Sequence, residues 1–168
     1  MDVTFVDIDQ ASDIDSGVAV VVDVLRAFTV AAWAFHLVAD HIILVDDLET
    51  AVELADSRTL LFKDGAPDDR FHLHNSPHQL KSLHIDGKRI IQRTNAGTRA
   101  AMAARGASEI MCASFVCATA TASALAASGQ RGVTFVVSGG LDADEDMACA
   151  EFIAAVDGHL VLRPTSPT

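Results

Sequence analysis

Apolar runs of four or five residues, rich in β-branched side chains, recur at Val3–Val6, Val18–Val22, Ile42–Val45, Thr59–Phe62, Arg89–Gln92, Glu109–Ala113 and Val133–Val137. Runs this short, bounded by polar residues, predict strands. Helix-length stretches separate several of them. Arg26 to Val38 is Ala-rich with bulky Phe28, Trp33 and Phe35; Leu48 to Ala55 is short and amphipathic; Phe115 to Ala127 is almost wholly small and apolar; a last helix runs to Val156. This alternation predicts an α/β protein with a mostly parallel sheet and helices on both faces. Val18–Val22 and Val133–Val137 are apolar on both faces, as central strands are, whereas acids surround Val3–Val6 and suit it to a sheet edge. Lys63 to Pro77, with Gly65, Pro67, Asp68, Asp69 and Asn75, reads as a long loop within the domain.

With 168 residues, half of them hydrophobic, the chain fits one compact domain, expected over 1–162, followed by a flexible tail at 163–168. Twelve Lys and Arg against 23 Asp and Glu give a formal charge of -11. Such a surface repels nucleic acid and anionic membranes, so neither is an expected partner. An anionic ligand would need a local pocket of Arg, backbone N–H groups or a metal ion. Cys112, Cys117 and Cys149 form no CxxC pair and sit in apolar surroundings, which points to buried thiols in a reducing compartment. The first ten residues, MDVTFVDIDQ, lack the basic start and apolar run of a signal peptide, and the expected location is the cytoplasm.

The polar residues gather just after the predicted strands. Asp23 and Arg26 follow the second; Thr94, Asn95, Gly97 and Thr98 follow the fifth; Ser114 follows the sixth; Ser138, Gly139 and Gly140 follow the seventh. In a parallel sheet these carboxyl ends line one edge, where ligands bind. Thr94-Asn95-Ala96-Gly97-Thr98 has two readings. It can cradle an anion with two hydroxyls, an amide and helix N–H groups, or Thr98 can simply cap the next helix. Asn75-Ser76-Pro77 reads as a helix start with Ser76 as cap and proline in the first turn. Asp23 and Arg26 form a salt bridge or belong to a site, where the guanidinium fork would suit a phosphate or sulfonate. Glu145 and Asp146 open the last helix, a place where acids are common, yet beside Ser138-Gly139-Gly140 they are also candidate ligands for magnesium. His72, His74, His78 and His84 lack zinc-site spacing and read as a solvated loop.

Taken together, Asp23-Val24-Leu25-Arg26-Ala27-Phe28-Thr29, Asn75-Ser76-Pro77, Thr94-Asn95-Ala96-Gly97-Thr98, Ala113-Ser114-Phe115 and Glu145-Asp146 with Ala150 resemble the ordered motifs of the 2-phosphosulfolactate phosphatase family, across Val18 to Ile153. The resemblance implies a three-layer α/β/α fold with a mixed sheet. It implies a magnesium-dependent hydrolase that converts 2-phosphosulfolactate to sulfolactate and phosphate, a step in coenzyme M biosynthesis. Carried over by motif, Asp23, Arg26, Asn75, Ser76, Thr94, Asn95, Thr98, Ser114, Glu145 and Asp146 would line the site. Two departures stand out: Phe62-Lys63-Asp64-Gly65 replaces a Glu-Arg-Gly type of segment, and Ala96 lengthens the family's Thr-Asn-Gly-Thr.

The mechanism expected on this basis is in-line attack by a metal-activated water. Mg²⁺ would be held by Asp23, Glu145 and Asp146; Asp23, Arg26 and Asp146 form the catalytic set. Asn75, Ser76, Thr94, Asn95, Gly97, Thr98 and Ser114 form the substrate-binding set. Two alternatives compete. Val3-Thr4-Phe5-Val6-Asp7-Ile8-Asp9 imitates the nucleophile strand of haloacid-dehalogenase-like phosphatases, with Asp7 as nucleophile. A non-catalytic anion-binding protein would keep the site without turnover, and the Ala-rich helices suit a homo-oligomer interface.

Overall fold

The computed structural model describes residues 2–156; the predicted tail and the last residues of the predicted domain lie outside the described residues. The elements in chain order are β1 (Asp2–Asp7), β2 (Val18–Val22), α1 (Ala27–His36), β3 (His41–Leu44), α2 (Leu48–Glu53), β4 (Thr59–Lys63), α3 (Pro77–Leu80), β5 (Arg89–Arg93), α4 (Gly97–Ala103), β6 (Glu109–Ala113), α5 (Ala118–Ser128), β7 (Gly132–Val137) and α6 (Asp144–Val156). Tight 3₁₀ turns add Ile8–Asp13, Ala104–Gly106 and Phe115–Cys117. The expected α/β alternation is therefore present, and each predicted strand forms. Local chemistry sets the boundaries. Asp47 caps α2 by accepting the Thr50 N–H at 2.7 Å, and α5 stops at Gly129, whose φ of 66° suits a residue without Cβ.

The strands form two sheets, in the orders β1-β7-β2-β6 and β3-β5-β4. Among the described residues every strand pair is parallel, so the antiparallel component of the mixed sheet is not found there. As the sequence suggested, β2 and β7 are central and β1 lies at an edge. β6 is the other edge of that sheet, and its outer position leaves Cys112 exposed; the expectation of three buried thiols holds for Cys149 but not for Cys112.

Period-2 alternation gives each sheet two buried faces. On the first sheet, Val18, Val20 and Val22 pack with Ala118, Ala122 and Leu125 of α5 and Cys149, Ala150 and Ile153 of α6. Its opposite face, with Ala19, Val21 and Val136, meets Ala27 and Phe28 of α1 and Ala100 and Ala101 of α4. On the second sheet, Leu60, Phe62 and Ile90 pack with Val30 and Ala34 of α1 and Leu80 of α3. Leu61 and Ile91 face the other way, toward Ala51 of α2 and Phe71. Helix α1 thus touches both sheets, with small residues that allow close approach.

Ile153 is fully buried where α6 closes the first sheet. Ile153→Ala removes methylene groups that the surroundings cannot fully replace, and should lower unfolding free energy by about 2–5 kcal/mol, read from urea denaturation.

Candidate functional site

Register builds the site. Val22 pairs with Ala113 on one side and Val137 on the other, so the next residues along each strand, Ser114, Asp23 and Ser138, stand side by side at the carboxyl edge. Backbone bonds extend the ladder to them: the Asp23 N–H donates to the Ala113 carbonyl at 3.2 Å and the Ser138 N–H to the Val22 carbonyl at 3.1 Å. All three residues are buried.

Two carboxylates dominate this edge. Asp23 Oδ1 accepts the Ala27 N–H at 2.9 Å and Oδ2 accepts the Gly97 N–H at 2.8 Å. Asp146 Oδ1 accepts the Val24 N–H at 2.7 Å, while Oδ2 accepts the Ser138 hydroxyl at 3.2 Å and the Gly139 N–H at 3.1 Å. Both side chains are buried. Burial pushes the Asp23 carboxyl above its ordinary value of 3.8; the Ala27 N–H pulls it down, the neighbouring Asp146 charge pushes it up, and Gly97 and Ser138 pull it down again. Gly97 is required by this packing, because a Cβ there would lie 2.6 Å from Asp23 Oδ2 and 2.9 Å from the Ala27 Cβ.

The five donors do not exhaust the pair. Each carboxylate oxygen offers two lone-pair positions, so both groups retain acceptor capacity. Two adjacent carboxylates with spare oxygens suit a hard divalent cation, and magnesium in particular is held by one or two carboxylates plus substrate phosphate and water. Glu145, the expected third ligand, is exposed one position earlier in the helix, where the 100° turn per residue directs it away from Asp146. Among the described residues no cluster of three or more His, Cys, Asp or Glu is placed to hold a metal. The metal-binding expectation is thus reduced to Asp23 and Asp146.

The Thr94–Thr98 segment closes on itself, and Thr98 does not cap α4, which Ala96 precedes without a side-chain capping bond. Thr94 Oγ1 accepts the Thr98 N–H at 2.9 Å, Thr98 Oγ1 accepts the Thr94 N–H at 3.1 Å, and the two hydroxyls lie 3.0 Å apart, all buried. Each hydroxyl thus accepts a backbone N–H and the pair shares one O–H bond, while the Gly97 N–H, expected in an anion cradle, goes to Asp23 instead. The loop serves Asp23. Asn95, whose side chain is exposed, is tied down by its N–H to Asp64 Oδ2 at 2.8 Å and its Oδ1 to Arg93 Nη1 at 2.5 Å.

Arg26 is exposed immediately before α1 and forms no ion pair with Asp23. Ser76 does occupy the position before Pro77, yet its hydroxyl makes no capping bond, so proline at the first position rather than the serine side chain starts α3. Ser114 is buried beside Asp23, and its N–H donates to Cys117 Sγ at 3.3 Å. Asn75 is buried, with Oδ1 accepting from Gln92 Nε2 at 2.9 Å. Asp7, the rival nucleophile, instead caps the Ile8–Asp13 turn, its Oδ1 accepting the N–H groups of Asp9 and Gln10 at 3.0 and 3.2 Å. His72 is likewise structural, as its Nδ1 accepts the Leu61 N–H at 3.0 Å. The buried Cys149 thiol is pushed up to about 12, chiefly by burial, which removes it as a nucleophile at neutral pH.

Sequence reasoning missed Ser138 and Gly139 as Asp146 donors and Gln92 as a buried polar residue. The signal for the first two was their position after a central strand. For Gln92 it was an amide directly after the apolar pair Ile90-Ile91 within a strand.

The family model for 2-phosphosulpholactate phosphatase matches residues 4–158. A "probable 2-phosphosulfolactate phosphatase" of Bacillus subtilis (strain 168) is 33% identical over 142 residues, covering 82% of this chain and 62% of that protein. One of the same name from Clostridium perfringens (strain 13 / Type A) is 32% identical over 146 residues, 81% of this chain and 59% of the relative. A third, from Parasynechococcus marenigrum (strain WH8102), is 40% identical over 95 residues, 53% of this chain and 39% of the relative. The chain therefore spans about three fifths or less of the length of these relatives. A match across nearly all of the described sheets, with Asp23 and Asp146 inside it, places the chain in the 2-phosphosulpholactate phosphatase family.

Proposed function

We propose that the protein hydrolyses a phosphate monoester of a small hydroxy acid, with 2-phosphosulfolactate as the first candidate, and that it requires magnesium. The observation that carries the reading is the pair of buried carboxylates, Asp23 and Asp146, held by five donors at the carboxyl edge of a parallel sheet. A structural acid at a strand end gains more from solvation or an Arg partner than from a second acid; two held together suit a cation and its anionic ligand. Magnesium bound by Asp23 and Asp146 would polarise a phosphoryl oxygen and lower the pKa of a bound water. Arg26, exposed just before α1, would meet phosphoryl oxygens with its planar fork. In the reaction a water oxygen bonds to phosphorus, the bond from phosphorus to the ester oxygen breaks, and the alcohol leaves with a proton.

Phosphate release from a panel of phosphorylated hydroxy acids, including 2-phosphosulfolactate, tests this directly. The expected result is turnover with magnesium and none with chelator. Asp146→Asn should lower kcat by about 100-fold or more, the scale of losing a group that stabilises transition-state charge, with the fold retained. Asp7→Asn, altering only a turn cap, should leave kcat within about twofold, as surface caps affect stability instead. Full activity of Asp146→Asn would overturn the site.

Asp23 also predicts a pH dependence of stability. Its folded pKa is raised, so between its ordinary value of 3.8 and the raised value the folded state holds the proton more tightly than the unfolded chain. Its contribution to stability is therefore present at low pH and is lost as pH rises through the folded value. In chelator, the melting temperature of the unaltered protein minus that of Asp23→Asn should fall as pH rises from about 4 to 7. Magnesium should reverse the trend, stabilising the unaltered protein more than the variant at the upper end.

Gly97→Ala forces a Cβ against Asp23 and should lower kcat by about tenfold or more through a shift of that carboxylate of the order of 1 Å. An unchanged kcat would show that Asp23 tolerates displacement.

A further inference from the structure

We propose that Gln92 is a positioning residue: it fixes the Asn75 side-chain amide with Oδ1 inward, so that Asn75 presents Nδ2 as a hydrogen-bond donor to an oxygen of the anionic substrate. This rests on the phosphomonoester reading above and deepens it.

The alternation of β5 aims Gln92. Ile90 packs on the α1 side of the second sheet and Ile91 on the opposite side, so Gln92 returns to the α1 side. There it is fully buried. Its Nε2 donates to the Ala27 carbonyl and to Asn75 Oδ1, both at 2.9 Å. A backbone carbonyl only accepts, so the Gln92 amide has one satisfactory orientation; the flipped amide would set two oxygens against each other. Facing an N–H, Asn75 in turn has to present its oxygen. One carbonyl in the first turn of α1 thereby sets the direction of two side-chain amides.

The remaining ends of the two amides differ. Gln92 Oε1 is sealed from solvent without a partner, an arrangement native interiors rarely keep without a reason. Asn75 Nδ2 donates to none of the described residues and is not among the sealed atoms, so the otherwise buried side chain offers its donor at the surface. The backbone supports this. Asn75 holds φ at 45°, a region that asparagine enters more readily than most residues, and the preceding strand-like segment is anchored by the Lys63 N–H on the Leu73 carbonyl at 3.0 Å. Ala27 is also the residue whose N–H holds Asp23, so the Asn75 donor and the carboxylate are referenced to the same turn of α1. A neutral donor held this way binds an oxyanion without adding a charge that the nearby acids would capture.

The test uses the full chain with magnesium, inorganic phosphate as binding probe and the best ester of the panel as substrate. Gln92→Met keeps volume but frees the Asn75 amide to rotate. KM and the phosphate inhibition constant should both rise by about tenfold, the value of one hydrogen bond to a charged group, with kcat within about threefold. In an Asn75→Ala background the same change should have no further effect. Equal effects in both backgrounds, or a lowered melting temperature with KM and phosphate binding unchanged, would overturn the proposal. Should Gln92→Met not fold, Asn75→Asp answers the question, because it keeps the acceptor toward Gln92 and replaces only the outward donor by a carboxylate oxygen. It should weaken phosphate binding more than Asn75→Ala; equal or tighter binding would overturn the proposal. Phosphate binding lost in Asn75→Asp but without turnover of any ester by the unaltered protein would sustain the positioning role and overturn only the hydrolase reading. No phosphate binding by the unaltered protein would overturn both.

Discussion

Two like charges buried beside each other are the constraint to which the rest of this structure answers. Removing a carboxylate from water costs several kcal/mol even after relaxation, and a second one nearby adds repulsion. The five hydrogen bonds to Asp23 and Asp146 offset that cost, at about 1.5–3 kcal/mol for a bond to a charged group. Their origin matters as much as their sum. They come from the first residue of α1, the start of α4, the turn after β2 and the turn after β7. No local segment can supply that set, so the site exists only once both α1 and α6 have packed on the first sheet.

Helix α1 links this constraint to the second sheet. Its Ala27 and Phe28 pack on the first sheet and its Val30 and Ala34 on the second, a division made possible by alanines on both sides of the helix. The helix whose first N–H holds Asp23 is therefore packed against both sheets. Gln92 adds a polar tie, reaching from β5 to the Ala27 carbonyl. Helix α1 thus joins the two sheets, and its first residue holds one of the two buried carboxylates.

What was legible in the sequence follows from which interactions are local. Strand positions are set by apolar runs such as Val18–Val22, whose both faces are covered, and these could be read directly. The convergence of Asp23, Ser114 and Asp146 follows from placing polar residues after parallel strands, and was equally readable. Division into two sheets was not, because nothing in the apolar pattern of β3, β4 and β5 says which strand each pairs with. The roles of Thr94 and Thr98 were ambiguous because the same hydroxyls suit a cap and an anion site; their 3.0 Å separation and their bonds to each other's backbone N–H were not readable from spacing. Glu145 and Asp146 are adjacent and chemically alike, yet the helix buries one and exposes the other. Cys112 read as a core thiol from its neighbours, but its strand lies at an edge, a property of topology rather than composition.

The chain's acidity sharpens the electrostatic question at this site. A net charge of -11 and two buried carboxylates repel the anion that the proposed reaction needs. The cations at the carboxyl ends of β4 and β5 are partly committed. Lys63 donates to the Ala66 carbonyl and lies 5.8 Å from the centre of the Phe71 ring. Arg93 reaches the Asp46 carbonyl and Asn95, with Asp64 Oδ1 3.5 Å away. Arg26 stands at the same end of the first sheet as the acids, exposed, with no ion pair among the described residues. One guanidinium cannot balance two carboxylates and a dianionic phosphate. On the proposed reading the remaining countercharge is a divalent cation on Asp23 and Asp146, and the remaining recognition falls to neutral donors such as Asn75 Nδ2, which attract an oxyanion without being drawn onto the acids themselves.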